Sequence, residues 1–445
     1  MQKPLDVNTE ESNTANLRLG LQKYISSKHA NLFAIANKAE LKKRMMILIK
    51  NYFLENELPL DERLMDSLYL DMAEFGSLTP YLYDNNVEEI NLNCWYDVKV
   101  TFSDGTIKAI PNPFCSKEET IDLVQRLLRV SGKLVDQSHP LVRTHLGAQK
   151  RISAVFGDIM KLGDHICFSI RMVNPKKLKR VEFIENGTAT GEILDFLSTL
   201  YQYGISMCSA GATGSGKTTL GAYLAATLPY EKRIITIEEG IQEFDLRVKD
   251  EEGNVLNNVV HLLTRESDNE AYKVSMNQLV VQTLTLNPYY IIVGEMKTSD
   301  GALMILEASN TGHSILTTTH SNSCAGVYDR MVDLCAKNSG YSEERIAHQS
   351  VEAFPITFFM KTLDDHSRKV MEVAESYLSE NGQRKTRTLY RYVVTDNKRI
   401  NGKIVVNGYF EKVNQISEVL QDKLRQNGIP QDILNNIIRP KEVKI

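Results

Sequence analysis

Residues 211–219, GATGSGKTT, combine three glycines, one lysine and four hydroxyl side chains within nine positions. Glycines allow successive backbone N–H groups to curve around a phosphate, and a following helix N-terminus adds a partial positive charge. The spacing Gly-x-x-x-x-Gly-Lys-Thr is that of the Walker A motif, in which the lysine reaches the β- and γ-phosphates and the threonine binds Mg²⁺. The stretch therefore predicts a site for ATP and Mg²⁺. The residues expected to line it are Gly211, Ala212, Thr213, Gly214, Ser215, Gly216, Lys217, Thr218 and Thr219.

The elements on both sides of this loop fit that chemistry. YGISMCSA, which precedes it, has the composition of a buried strand, and Leu220, Leu224 and Leu228 follow it at helical spacing. A glycine-rich turn between a strand and a helix is the context in which a Walker A motif binds phosphate.

Carboxylates farther along the chain distinguish a hydrolase from other nucleotide-binding proteins. Glu295 ends the apolar segment YYIIVGE, where an acidic residue can face the nucleotide-bound Mg²⁺. TIEEGIQEF supplies Glu238, Glu239 and Glu243 after another apolar segment, and one of them can position the attacking water. Glu238 is the first choice for that role.

Two histidines lie at the two ends of the strand-like segment SILTTTH, with His313 directly before it and His320 as its last residue. His320 ends it, and ligands of parallel sheets gather at the carboxyl ends of strands. We expect His320 to donate to a phosphate oxygen and so distinguish ATP from ADP. For His313 a structural role and a functional role are equally supported.

The composition is that of an ordinary soluble protein, with 42% hydrophobic residues, 24% charged residues and a net charge of -4. No basic excess indicates a nucleic-acid partner. The polar N-terminus does not resemble a signal peptide, and no apolar run is long enough to span a membrane. The six cysteines form no CxxC pair, which indicates reduced thiols in a cytoplasmic protein.

The pattern along the chain predicts an α/β protein with several parts. SKEETIDLVQRLLRVSG is a strong helix, with Ser116 as its N-cap and Gly132 as its stop. Alternating apolar strands and helices in the second half predict a largely parallel sheet covered on both faces. The predicted parts are a helical arm (1–60), a small α/β domain (61–173), a linker (174–189), a P-loop domain (190–375) and a tail of strands and helices (376–445).

The predicted linker begins with NPKKLKR, which holds one proline and four positive charges. A solvated connection between domains is one interpretation of this segment. A patch that binds phosphate or a partner is the other.

Taken together, these motifs resemble the ATPases of type II and type IV secretion and pilus systems. RIITIEEGIQEFDL is similar to that family's Asp box, LTLNPYYIIVGEMK to its signature and ASNTGHSILTTTHSNS to its His box. MAEFGSLTPYLYDNNVEEINLN and FSIRM resemble the N-terminal domain of the branch that includes Tad-type pilus and conjugation ATPases. The resemblance covers residues from about 65 to about 430.

The resemblance implies a hexameric motor with a RecA-like core, powered by ATP hydrolysis, that drives pilus assembly or export of macromolecules. It also implies a polytopic inner-membrane platform protein as partner, and a cytoplasmic location with peripheral attachment through partners. Arg151 and Arg171 match family arginines that approach the nucleotide phosphates from the N-terminal domain. The sequence leaves open whether the system builds pili, exports protein or conjugates DNA.

The chain departs from the family pattern at seven positions, which are Thr285, Tyr289 and Lys297 in the signature, Glu239 and Gly240 in the Asp box, and Arg143 and His145 upstream. Lys297 replaces an arginine, and a lysine cannot make a bidentate contact. These changes support one alternative, a nucleotide-gated scaffold with negligible turnover. A DNA translocase on the same core is the other alternative, but it requires basic pore loops, and the P-loop portion has no basic run.

Overall fold

The computed structural model describes residues 17, 20, 21, 24, 25 and 38–438, with gaps at 74, 112, 115, 147–149, 161–164, 173–177, 266, 268 and 401. The chain divides into two compact units, Met1–Asn174 and Pro175–Ile445. Within the described ranges, no helix has both the length and the apolar character needed to cross a membrane.

The first unit begins with helices. The predicted arm lies mostly outside the described residues, but its last part is helical. Buried side chains of the first long helix, such as Met45 and Phe53, form one apolar cluster with Leu68 of the next helix. This cluster crosses the predicted boundary at residue 60. The helices are α1 (Lys38–Glu55), α2 (Glu62–Ala73), a 3₁₀ turn (Gly76–Leu78), α3 (Thr79–Leu82) and α4 (Lys117–Val130).

The sheet of the first unit is antiparallel throughout its six strands, in the order β3-β2-β1-β6-β5-β4. Alternate residues such as Val98 and Val100 are fully buried, as expected for strands with one covered face. Ser116 caps α4 as predicted, since its Oγ accepts from the Glu119 N–H at 3.2 Å. The strands are β1 (Val87–Cys94), β2 (Asp97–Phe102), β3 (Ile107–Ile110), β4 (Leu141–Leu146), β5 (Lys150–Phe156) and β6 (Ile166–Met172).

The second unit contains a nine-stranded sheet in the order β15-β14-β13-β12-β7-β11-β10-β8-β9. The six strands from β12 to β9 are parallel, and β13 to β15 extend one edge by antiparallel pairing. Helices lie in the connections between the parallel strands except between β8 and β9, which residues 239–258 join without a helix. The strands are β7 (Met207–Gly211), β8 (Ile234–Glu238), β9 (Val259–Leu263), β10 (Tyr290–Val293), β11 (Ser314–Thr319), β12 (Ile356–Thr362), β13 (Arg368–Leu378), β14 (Arg384–Ile400) and β15 (Lys403–Lys412).

Helices cover both faces of this sheet, and each face has its own buried apolar cluster. One cluster includes Leu220 and Leu224, which are fully buried as their spacing predicts, and the other includes Ile305 and Met331. The helices are α5 (Arg180–Glu185), α6 (Gly191–Gln202), α7 (Lys217–Ala226), a 3₁₀ turn (Glu270–Tyr272), α8 (Met276–Leu284), α9 (Ser299–Ser309), α10 (Gly326–Ser339), α11 (Glu343–Ala353), α12 (Glu418–Gln426) and α13 (Gln431–Ile438).

This architecture confirms the predicted fold class, an α/β protein with a RecA-like domain and a smaller N-terminal α/β domain. The strand β11 separates β7, which leads into the glycine-rich loop, from β10, which leads to Glu295. Two predicted boundaries differ from the observed elements. The predicted linker contains α5, and residue 376 falls inside β13, because the tail strands pair with the same sheet instead of forming a separate layer.

Candidate nucleotide site

The glycine-rich loop connects the C-terminal end of β7 to the first residue of α7. A Cβ atom on Gly211 would lie 2.3 Å from the Met360 carbonyl oxygen and 2.6 Å from Ser215 Oγ. Both distances are too short for any side chain, so only glycine permits this close approach of two backbones. The loop therefore has the compact shape that directs backbone N–H groups toward a bound phosphate.

The Lys217 ammonium lies over this loop. Its Nζ donates to the carbonyl oxygens of Gly211 at 2.7 Å and Ala212 at 2.9 Å, and the residue is 8% exposed. Ser215 Oγ is also buried and is without a hydrogen-bond partner within the described structure. A buried cation and a buried hydroxyl at a helix N-terminus are donors that fit the oxygens of a phosphate group.

Carboxylates that follow β8 reach the same helix N-terminus. Thr218 Oγ1 donates to Glu243 Oε2 at 3.0 Å. Hydroxyl and carboxylate oxygens are the hard ligands that Mg²⁺ prefers, and Mg²⁺ usually takes one or two such groups together with substrate phosphates. The described residues contain no cluster of three or more His, Cys, Asp or Glu side chains suited to a metal.

Glu238, the last residue of β8, is 2% exposed. Its carboxylate accepts hydrogen bonds from the Phe244 N–H at 3.0 Å, from the Glu243 N–H at 2.5 Å and from Thr236 Oγ1 at 3.2 Å. These bonds favour the charged form, but burial outweighs them and raises the pKa of Glu238 to about 7. The side chain thus fixes the turn that carries Glu243, and its carboxyl group is partly ionised near neutral pH.

His320 connects the glycine-rich loop to Glu295. Its Nε2 lies 2.9 Å from Glu295 Oε1, and its Nδ1 lies 3.1 Å from the Gly211 carbonyl oxygen. Both neighbours accept hydrogen bonds, so both ring nitrogens act as donors when the ring is doubly protonated. The position follows from the strand order, because β11 lies between β7 and β10. Thr318, two residues earlier in β11, donates to the Gly294 carbonyl at 2.8 Å and holds the Glu295 segment in place.

His313 lies at the other end of β11, directly before its first residue. Its Nδ1 is 2.7 Å from Thr311 Oγ1, and burial lowers the pKa of its imidazole. A six-residue strand separates it from His320, which corresponds to about 20 Å. The geometry therefore favours the structural alternative for His313.

Two of the residues that depart from the family pattern contact each other. Lys297 Nζ lies 2.7 Å from Glu239 Oε2, and both side chains are partly exposed. The pair joins the turn after β8 to the segment after β10, on the edge of the sheet where Glu238 and Glu295 lie.

In the first unit, Arg151 of β5 and Arg171 of β6 are directly opposite each other in the antiparallel register. His145 on β4 is opposite Arg151, and Glu89 on β1 is opposite Arg171, so the four residues form one row across the sheet. Burial and the Arg151 charge lower the pKa of His145. Like charges on opposite residues destabilise a sheet, which favours a role for the arginines other than stability. Their approach to the phosphates stays a prediction.

β12 and β13 contact the loop through residues that belong to none of the sequence motifs. Arg368 Nε donates to the Gly214 carbonyl oxygen at 2.8 Å, and Thr362 Oγ1 lies 3.4 Å from the same oxygen. Arg368 is 154 positions after Gly214, outside every motif, so no local signal could have indicated the contact.

Comparison with known proteins finds several sequences that are similar to this chain. The first two similar proteins are uncharacterized proteins of Methanocaldococcus jannaschii, 28% identical over 264 residues and 27% identical over 271 residues. These alignments cover 58% and 59% of this chain but only 35% and 45% of those relatives, so the chain spans less than half of their length.

One further relative and one solved structure are also similar to this chain. The type IV secretion system protein VirB11 of Bartonella quintana is 23% identical over 310 residues, which cover 62% of this chain and 83% of that protein. Among solved structures, the Legionella pneumophila ATPase DotB superposes with a TM-score of 0.46 at 22% identity, over 68% of this chain and 80% of DotB.

The sequence profile of the family described as "Type II/IV secretion system protein" matches residues 145–436. This range is more than half of the 445 residues and contains the glycine-rich loop, the carboxylates after β8 and β10, and His320. The chain therefore belongs to the type II/IV secretion system protein family.

Proposed function

We propose that this chain is a Mg²⁺-dependent ATP hydrolase that acts as a hexameric motor for pilus assembly or macromolecule export. The observation that carries the proposal is the meeting of four strand ends. The side chains concerned lie at or after the C-terminal ends of β7, β8, β10 and β11, where ligands of parallel sheets bind. They are Lys217, Thr218, Glu238, Glu295 and His320.

Each of these side chains has a role that follows from its contacts. Mg²⁺ bound with ATP would neutralise part of the charge on the β- and γ-phosphate oxygens. Thr218 and Glu295 would hold that ion, with Glu243 hydrogen-bonded to the Thr218 hydroxyl at 3.0 Å. Lys217, already 2.7 Å from the Gly211 carbonyl, would stabilise negative charge on the γ-phosphate.

Glu238 would orient the attacking water and accept its proton. A general base works best when its pKa is near the working pH, and burial raises the pKa of Glu238 to about 7. His320, 2.9 Å from Glu295 and 3.1 Å from the Gly211 carbonyl, would exchange one of these contacts for the γ-phosphate and so report its presence.

The arginines of the first unit would complete the site when the domains close. Arg151 and Arg171 lie side by side, so one movement can deliver two guanidinium groups to the developing charge. Closure and release in each catalytic cycle would move one domain against the other, which is the motion that a motor transmits.

Assembly and location are further parts of the proposal. The family resemblance supports a hexameric ring at the cytoplasmic face of a membrane, attached through a polytopic platform protein. Family membership and a net charge of -4 support a protein complex as partner more than nucleic acid.

The test is phosphate release from Mg²⁺-ATP by the purified chain, with Lys217→Ala as the variant. Loss of one charged phosphate contact in the transition state should lower turnover by a factor of about 10² to 10³ and leave the thermal midpoint unchanged. Lys273→Ala is the matched control, since Lys273 is an exposed lysine of the same unit paired with Glu270. Wild-type turnover near zero would support the scaffold, and turnover stimulated by DNA would support the translocase.

A further inference from the structure

The outer side of the phosphate loop is held by two strands that belong to none of the nucleotide motifs. The Gly214 carbonyl oxygen accepts from Arg368 Nε at 2.8 Å, and Thr362 Oγ1 lies 3.4 Å away. Thr362 is the last residue of β12 and Arg368 is the first residue of β13. A hydrogen bond from a guanidinium is stronger than one from a neutral group, so Arg368 is the main contact.

This contact determines the direction of a loop N–H group. The carbonyl of Gly214 and the N–H of Ser215 belong to one planar peptide unit, and in a trans unit the two groups point in opposite directions. The Ser215 N–H points to the Ala212 carbonyl at 3.3 Å, which also accepts from Lys217 Nζ at 2.9 Å. The Ser215 N–H therefore faces the interior of the loop while Arg368 holds the opposite end of the same plane.

Packing supports the same assignment. A Cβ atom on Gly216 would lie 3.2 Å from Met360 Cε and 3.6 Å from Arg368 Cδ. The strands β12 and β13 thus form a wall along the loop from Gly211 to Gly216. Because β12 and β13 contact the loop at Gly211, Gly214 and Gly216, they restrict the conformation of the loop backbone.

The turn between β12 and β13 is itself held by Asp365. Its Oδ1 accepts from the Ser367 N–H at 3.0 Å and from Ser367 Oγ at 2.6 Å, and its Oδ2 accepts from the Val406 N–H of β15 at 3.2 Å. These bonds fix the chain directly before Arg368 and connect it to a strand at the edge of the sheet.

We propose that Arg368 is a positioning residue for nucleotide binding. By holding the Gly214 carbonyl, it keeps the Ser215 N–H directed into the loop, where a phosphate oxygen would replace the Ala212 carbonyl as its acceptor. The proposal rests on the proposed function, because it requires that the loop binds a nucleotide. Loop N–H groups contact phosphates that ATP and ADP share. Arg368 therefore contributes equally to the binding of both nucleotides and has little effect on the chemical step.

The experiment is calorimetric titration of the full chain with ADP and with a non-hydrolysable ATP analogue, with Mg²⁺ present. Arg368→Ala should raise both dissociation constants by about tenfold or more, the scale of one hydrogen bond from a charged donor. Arg368→Lys should restore part of the affinity. Arg391→Ala is the matched control, because Arg391 is an exposed arginine of the same sheet paired with Glu411 at 2.8 Å, and it should bind as the wild type does.

Several results would overturn the inference. Unchanged dissociation constants in Arg368→Ala would show that the loop keeps its shape alone, and a reduced kcat with unchanged affinity would show that Arg368 acts on the transition state. If Arg368→Ala does not fold, Arg368→Lys and Thr362→Val still test the contact, and wild-type affinity in both would refute it. A wild-type chain that binds ADP but releases no phosphate refutes the proposed function alone, whereas one that binds neither nucleotide refutes both.

Discussion

The buried carboxyl group of Glu238 should make both stability and activity depend on pH. Burial raises its pKa from 4.5 to about 7 in the folded chain. The folded state therefore binds its proton more tightly than the unfolded state does. The stabilisation is fully present below pH 4.5 and is lost as the pH rises through 7, so between pH 5 and pH 8 this group should lower stability by roughly 2 to 3 kcal/mol.

Glu238→Gln removes the titration and keeps an acceptor oxygen for the N–H groups of Glu243 and Phe244. The difference in free energy of unfolding between wild type and Glu238→Gln should change by roughly 2 to 3 kcal/mol from pH 5 to pH 8, in favour of the variant at high pH. Denaturant titrations at four pH values measure it. Glu239→Gln, an exposed neighbour paired with Lys297, is the control and should change the pH profile little.

The ionisation of the same carboxyl group should control kcat/KM, because a general base acts in its ionised form. A plot of kcat/KM against pH should therefore rise with a midpoint near pH 7. Glu238→Gln should be slower by a factor of about 10² or more at every pH. His320→Ala must keep the midpoint if Glu238 is responsible for it. The reasoning is refuted if the stability difference is independent of pH, or if Glu238→Gln retains turnover while Glu243→Gln loses it, which would make Glu243 the residue that activates water.

Three further predictions concern the other parts of the proposed site. His320→Ala should lower turnover and reduce discrimination between ATP and ADP with little change in thermal midpoint; a large loss of stability with unchanged kinetics would contradict it. Sedimentation with Mg²⁺ and a non-hydrolysable ATP analogue should give a ring-sized species, most simply a hexamer, whereas a fully active monomer at tens of micromolar would exclude it. Arg171→Ala should bind ATP normally but hydrolyse it about a hundredfold more slowly, Arg151→Ala should be milder, and Arg143→Ala on the same sheet should match wild type.

Local patterns were sufficient to predict the elements that form the site. The strand before Gly211 and the helix after it follow from an apolar run and from Leu220 and Leu224, which are both fully buried. The N-cap at Ser116 follows from its side chain and from the helix that begins one residue later. The structure at such positions is determined by residues that are close in sequence, so it can be predicted from the local sequence alone.

Contacts between distant segments could not be predicted in the same way. The residues around Arg368 in the sequence form no recognisable motif. Its contact with Gly214 depends on the pairing of β12 with β7 in the sheet. The predicted boundary at residue 376 lies inside β13 for the same reason, because the pairing of β13 with β12 depends on the whole sheet and not on the sequence of the segment. The burial of Glu238 also depends on the turn that folds back over it, and the spacing of residues in the sequence does not predict that fold of the chain.

Two of the residues that depart from the family pattern, Glu239 and Lys297, contact each other, and this contact changes how their substitution is interpreted. Considered separately, Glu239 is a departure from the Asp box and Lys297 is a departure from the signature. Each departure supports the alternative of a scaffold without turnover. In the structure they form one ion pair with a separation of 2.7 Å, between the two segments that carry Glu238 and Glu295. A carboxylate and a cation are thus present at these positions, and only the lengths and shapes of the side chains differ from the family. A partly exposed pair of this kind contributes little to stability, and it lies between the two turns that carry the candidate carboxylates.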